Sequence, residues 1–84
     1  MTSKEFEITC KRHIIKVVEE NYQDYLTLDE LHIVWFSKAL QNYKCTMIDL
    51  RKNQRYYECT YNGNTGELYV DIYEKKYNIA YKVQ

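Results

Sequence analysis

The sequence predicts an α+β domain in which one N-terminal amphipathic helix packs on a four- or five-stranded antiparallel meander. Three observations carry that prediction. Phe6, Cys10, His13, Ile14, Val17 and Val18 recur at helical intervals, the segments Tyr56–Tyr61 and Leu68–Tyr73 alternate with period two, and Gly63 and Gly66 mark a turn between those segments. Only the first of these patterns has the period of a helix. The later segments bury one face and leave the other to tyrosine and carboxylate.

The helix is expected over residues 3–21. Thr2 and Glu5 have the spacing of a capping box, with Ser3 as the alternative cap. His13 falls on the apolar stripe, where a partly buried, satisfied histidine is expected. Ile8 and Ile15 fall almost opposite that stripe, among Lys4, Lys11, Arg12 and Glu19, and should be exposed in a monomer. They are either isolated surface residues or a second contact such as a dimer seam.

Thr27 and Glu30 repeat the capping-box spacing, so a helix through Asn42 competes with a short helical turn followed by a strand. The run Leu31-His32-Ile33-Val34-Trp35-Phe36 favours the strand, because it is rich in β-branched and aromatic residues. It is apolar on both sides, as a central strand covered on two faces would be. Strands are then expected at about 31–38, 43–50, 55–61 and 67–74, with a candidate fifth at 77–83. The three lysines of the terminal stretch that begins at Glu74, namely Lys75, Lys76 and Lys82, suit a sheet edge. Two registers compete in the Gly63–Gly66 hairpin. A four-residue loop, Asn62 to Thr65, pairs Glu58 with Tyr69 and Tyr56 with Asp71. A six-residue loop sets Glu58 opposite Asp71, so the shorter loop is expected because it avoids the like-charge contact.

Composition limits the function classes. The 84-residue chain has neither proline nor more than two glycines, which leaves no linker for a domain boundary, and 45% hydrophobic residues are too many for disorder. One domain, 1–84, with a thin core follows. Twelve basic residues balance twelve acidic ones, which removes the overall positive field of a sequence-independent nucleic-acid binder. There is no apolar leader and no membrane-length run, so reduced thiols in a cytoplasm are expected. Cys10, Cys45 and Cys59 have spacings that resemble no zinc pattern and are read as core, with no metal and no cofactor.

Enzyme readings find little support. Glu58, Asp71 and Glu67 could serve as paired carboxylates, but alternating charge on a strand is the ordinary sign of a solvated face. Cys45 or Cys59 with His13 or His32 is a combination that any small protein offers. The loop Asn62-Gly63-Asn64-Thr65-Gly66 lacks the lysine and helix of a phosphate loop. A non-enzymatic role is expected.

Binding readings have more material. Ten tyrosines, most of them between Tyr43 and Tyr81, supply large contact area with a polar tip. Tyr56, Glu58, Tyr69, Asp71 and Tyr73 share one predicted sheet face and form the candidate partner-binding surface, suited to a basic partner. The alternative is a nucleic-acid site of Lys44, Arg51, Lys52 and Arg55 with Tyr43 or Tyr56, where cations meet phosphates and rings stack on bases. Self-association to a homodimer is also expected, with its seam at Tyr77, Ile79 and Tyr81.

The segments Leu31–Lys44, Tyr56–Gly63 and Glu67–Lys76 together resemble a family of small uncharacterised proteins encoded by phages and prophages of Gram-positive bacteria. The shared elements are Val-Trp followed by Ser-Lys and Leu-Gln-Asn-x-Lys, then Tyr-Tyr-Glu, Tyr-Asn-Gly and Tyr-x-Asp-x-Tyr-x-Lys. The basic turn Arg51–Arg55 departs from the pattern. The resemblance implies the cytoplasm of an infected bacterium. It also implies an accessory protein that binds a host or defence protein as inhibitor or modulator, anti-CRISPR activity being one member of that class.

Overall fold

The computed structural model describes residues 1–51, 55–77 and 79–83. Helix α1, Ser3–Tyr22, begins at Thr2, whose hydroxyl accepts from the Glu5 N–H at 3.1 Å while the Glu5 carboxylate accepts from the Thr2 N–H at 3.0 Å. The helix ends where Gln23 enters the left-handed region at φ 53°. Its buried stripe is Phe6, Cys10, Ile14 and Val18, four residues spaced so that they lie one above another on a single line. A second capping box at Thr27 and Glu30 opens only a 3₁₀ turn, Leu28–Glu30. The chain then enters strand β1, Leu31–Ala39, so the strand reading of this segment holds over the helical one.

Strands β2 (Asn42–Asp49), β3 (Arg55–Asn62) and β4 (Glu67–Glu74) follow, and the sheet order β1-β2-β3-β4 is an antiparallel meander. Among the described residues there is no fifth strand: residues 75–77 and 79–83 carry no strand pairing. The helix lies across one face of the sheet. Phe6, Cys10, Ile14 and Val18 meet Leu31, Tyr43, Cys45, Met47, Tyr57 and Cys59 there, and Ile33, Tyr61, Leu68, Val70 and Ile72 pack around the margin. A sheet with one helical layer is thin, and the molecule measures 44 × 36 × 20 Å.

Several expectations are corrected by this architecture. Strand β1 lies at the edge of the sheet, and its Val34 and Trp35 are exposed, so it is not a central strand covered on both sides. A bulge also lies between Ile33 and Trp35: Ile33 pairs with Met47 and Trp35 with Thr46, leaving Val34 as the extra residue. The bulge breaks the alternation and sends two consecutive apolar side chains to the same face.

In the β3–β4 hairpin, Glu58 does stand opposite Asp71, with Asn62 paired to Glu67 and Tyr56 to Tyr73. Gly66 decides the register. It closes the Gly63–Gly66 turn at φ 74° with its N–H on the Asn62 carbonyl at 2.8 Å, a backbone conformation that Thr65 would resist. Two contacts offset the like-charge pair: Lys44 of β2 reaches Glu58 at 3.4 Å, and Tyr56 stacks on Tyr73 with centroids 4.9 Å apart.

His13 is exposed instead of partly buried, and its Nδ1 donates to the Thr9 carbonyl at 2.7 Å. Ile8 and Ile15 are half-buried instead of exposed, Ile15 against the core, so the helix face offers no free isoleucine seam.

Candidate binding face of the sheet

The face of the sheet turned away from α1 has no layer over it among the described residues. From β1 it takes Val34 and Trp35, from β2 Lys44, Thr46 and Ile48, from β3 Tyr56 and Glu58, and from β4 Tyr69, Asp71 and Tyr73. Trp35 is 50% exposed and Tyr69 53%. Across the strands, Ile48 stands beside Tyr56 and Tyr56 beside Tyr73, which makes an apolar band. The next band, from Trp35 through Thr46 to Glu58 and Asp71, ends in the two carboxylates. Val34, Thr46, Ile48, Tyr56 and Lys75 form much of the wall of a hollow of about 520 Å³. The negative charge of Glu58 first, then burial and Asp71, pushes the Tyr73 phenol above its ordinary pKa. The face therefore offers aromatic anchors beside a local negative field.

All five residues expected to bind a partner, Tyr56, Glu58, Tyr69, Asp71 and Tyr73, lie together on this face. Sequence reasoning missed Val34, Trp35 and Ile48 as members of it. Their signal was the double-sided hydrophobicity of β1, which reads as full burial unless a bulge is recognised.

The described residues of the alternative nucleic-acid site fall in separate places, Tyr43 under the helix, Lys44 and Tyr56 on the open face, and Arg51 with Arg55 in a corner around Asp24. Tyr43 is buried on the helix side, stacked on Phe6 with centroids 5.0 Å apart, and its hydroxyl donates to the Met1 carbonyl at 2.5 Å. Lys44 stands on the open face beside Glu58. Lys52 lies outside the described residues.

Arg51 and Arg55 are built into a charged corner below the helix. Arg51 donates through Nε to Glu30 at 2.9 Å and also to Asp24 and the Tyr25 carbonyl. Arg55 donates to Asp24 at 2.6 Å and lies 4.3 Å over the Tyr22 ring. The hydrogen bond from Arg51, helped by the Thr27 backbone, pulls the Glu30 carboxyl down to about 2. Nearby, the Tyr57 hydroxyl donates to Asp49 at 2.6 Å, and burial followed by that bond pushes the phenol up. This corner fastens the connection after α1 to the β2–β3 turn, so the basic turn has a structural use.

The expected seam residues Tyr77, Ile79 and Tyr81 are all strongly exposed and follow directly from β4, the other edge of the sheet. Cys10, Cys45 and Cys59, read separately as core residues, converge under the helix. No described helix is long and apolar enough to cross a membrane.

The sequence from residue 7 to 83 matches the model of a family of unknown function, DUF6275. The chain belongs to that family. The DUF6275 match spans α1 from its second turn, all four strands and the segment beyond them, so the family unit is this helix-on-meander domain. No curated protein and no solved structure matches the chain.

Proposed function

We propose that the protein is a non-enzymatic accessory protein that binds another protein through its open sheet face. The single observation behind this reading is the uncovered face itself, where Trp35, Tyr56, Tyr69 and Tyr73 surround Glu58 and Asp71. Aromatic side chains that lose few rotors on binding are favoured anchors, and the carboxylates favour a partner carrying lysine or arginine. The resemblance to phage and prophage proteins of Gram-positive bacteria supports a host or defence protein as the partner, met in the cytoplasm of the infected cell, with the protein acting as an inhibitor or modulator. Affinity capture from host lysate with the native chain and a Tyr69→Ala, Tyr73→Ala variant tests the assignment. The native chain should retain a partner that the folded variant loses; equal capture by both removes the face from the mechanism.

The competing reading, a nucleic-acid module, draws on Lys44 of the open face and on Arg51 and Arg55, which are engaged with Asp24. A mobility shift with DNA or RNA at low salt that disappears on Lys44→Ala would restore it. A homodimer through the terminal segment is the proposed assembly, since Tyr77, Ile79 and Tyr81 adjoin the β4 edge, which can accept a further strand. Light scattering should show a dimer that Ile79→Lys abolishes, whereas a monomer at tens of micromolar on order of magnitude would end the idea.

A further inference from the structure

The chain's three cysteines come from three different elements and meet at one point. Cys45 and Cys59 are direct cross-strand partners on β2 and β3, and Cys10 descends from α1. Their sulfur atoms all lie within 4.8 Å of one another, none is exposed, and none is in a disulfide. Convergence of every thiol in the chain on one spot brings together the donor type that selects soft ions.

We propose that Cys10, Cys45 and Cys59 form a three-coordinate site for a trivalent thiophilic ion of the arsenite class. A trivalent arsenic centre keeps a lone pair and is pyramidal, so bonds of about 2.3 Å to sulfur set the three sulfurs about 3.5 Å apart, and the three side chains must draw together from within 4.8 Å to close the site. Among the described residues, no histidine or carboxylate joins the group, so the fourth donor of a structural zinc site is missing. Charge then chooses between the remaining ions. Among the described residues the one buried charged residue is Asp49, whose oxygens already bond Tyr57 and the Arg51 N–H. Three thiolates around monovalent copper would leave two negative charges in this dry region, and around a divalent ion one. Around a trivalent ion they leave none, which removes the desolvation penalty.

Loading from arsenous acid is neutral throughout. Three S–H and three As–O bonds break, three As–S bonds form, three water molecules leave, and no atom changes oxidation state. Entry requires α1 to lift from the sheet, because Cys10 lies on its buried stripe. The bound ion would then fasten helix to sheet.

Arsenite added to the reduced, folded protein tests the site by native mass spectrometry, near-UV sulfur-to-arsenic absorption and thermal unfolding. One arsenic per chain with loss of three hydrogens, a new near-UV band and a raised Tm are expected. Cys10→Ala, or the bulkier Cys10→Val where alanine does not fold, should lose the three-sulfur band and the Tm rise. In urea near the unfolding midpoint, arsenite should protect all three cysteines of the native chain from alkylation together. Protection of two alone, an unchanged Tm rise in the Cys10 variant, no adduct after refolding with arsenite, or tighter binding of zinc or monovalent copper in parallel titrations would each overturn the proposal.

Discussion

Tyr56 and Tyr57 are neighbours in the chain and opposites in the fold. Tyr57 is fully buried beneath α1 with its hydroxyl on Asp49, while Tyr56 lies on the open face stacked on Tyr73. The two sheet faces draw on the same residue types, and hydrophobicity alone does not separate them. What separates them is cover. One helix supplies one layer, and its four-residue stripe covers only the face carrying Tyr43, Cys45, Met47, Tyr57 and Cys59. The other face keeps its aromatic content and adds carboxylates, so it sets large contact groups beside charge.

The strongest way to break that comparison is to truncate one tyrosine on each face. Tyr57→Ala should cost about 3–5 kcal/mol, as removal of large buried rings does, a large part of the stability of a small domain. Tyr69→Ala should change stability by no more than about 0.5 kcal/mol. Urea unfolding measures both, and similar costs would mean that the open face is covered in solution.

A gentler change separates the polar tips. Tyr57→Phe removes the 2.6 Å bond to Asp49 and should cost about 1–3 kcal/mol, whereas Tyr56→Phe should be nearly silent in the same unfolding assay. A third test leaves both faces alone. Leu40, at φ 57° in the turn between β1 and β2 and almost fully exposed, should gain about 1 kcal/mol on replacement by glycine, read as a raised Tm.

The smallest effect concerns acid. Glu30 has a pKa lowered from its ordinary 4.5 to about 2, so its pairing with Arg51 stabilises the fold fully above pH 4.5. That contribution fades as pH falls from there through about 2. Arg51→Gln should flatten the acid slope of stability in this window, and an unchanged slope would show that the charged corner does not pin the covered face.

Much of this arrangement was legible in the residues. The helix and its cap followed from Thr2, Glu5 and the recurrence of Phe6, Cys10 and Ile14, because both patterns are local. The open face followed from period-two alternation in β3 and β4. Three features were hidden because they depend on partners distant in sequence or on one backbone angle. The bulge at Val34 needed β2 opposite it, and the hairpin register was set by the left-handed conformation of Gly66. The thiol cluster appears once Cys45 is placed against Cys59, since spacing along the chain carries no trace of it.

The order of elements along the chain has a consequence for biosynthesis. Each strand pairs with its immediate successor, so the meander closes through local hairpins and should assemble quickly. Helix α1 emerges from the ribosome before the strands, and its partners Cys45, Met47, Tyr57 and Cys59 come much later. Its line of Phe6, Cys10, Ile14 and Val18 must wait uncovered until β3 has been made. The nascent helix is therefore the segment in which a chaperone contact, or a mutation that lengthens the wait, would most affect the yield of folded protein.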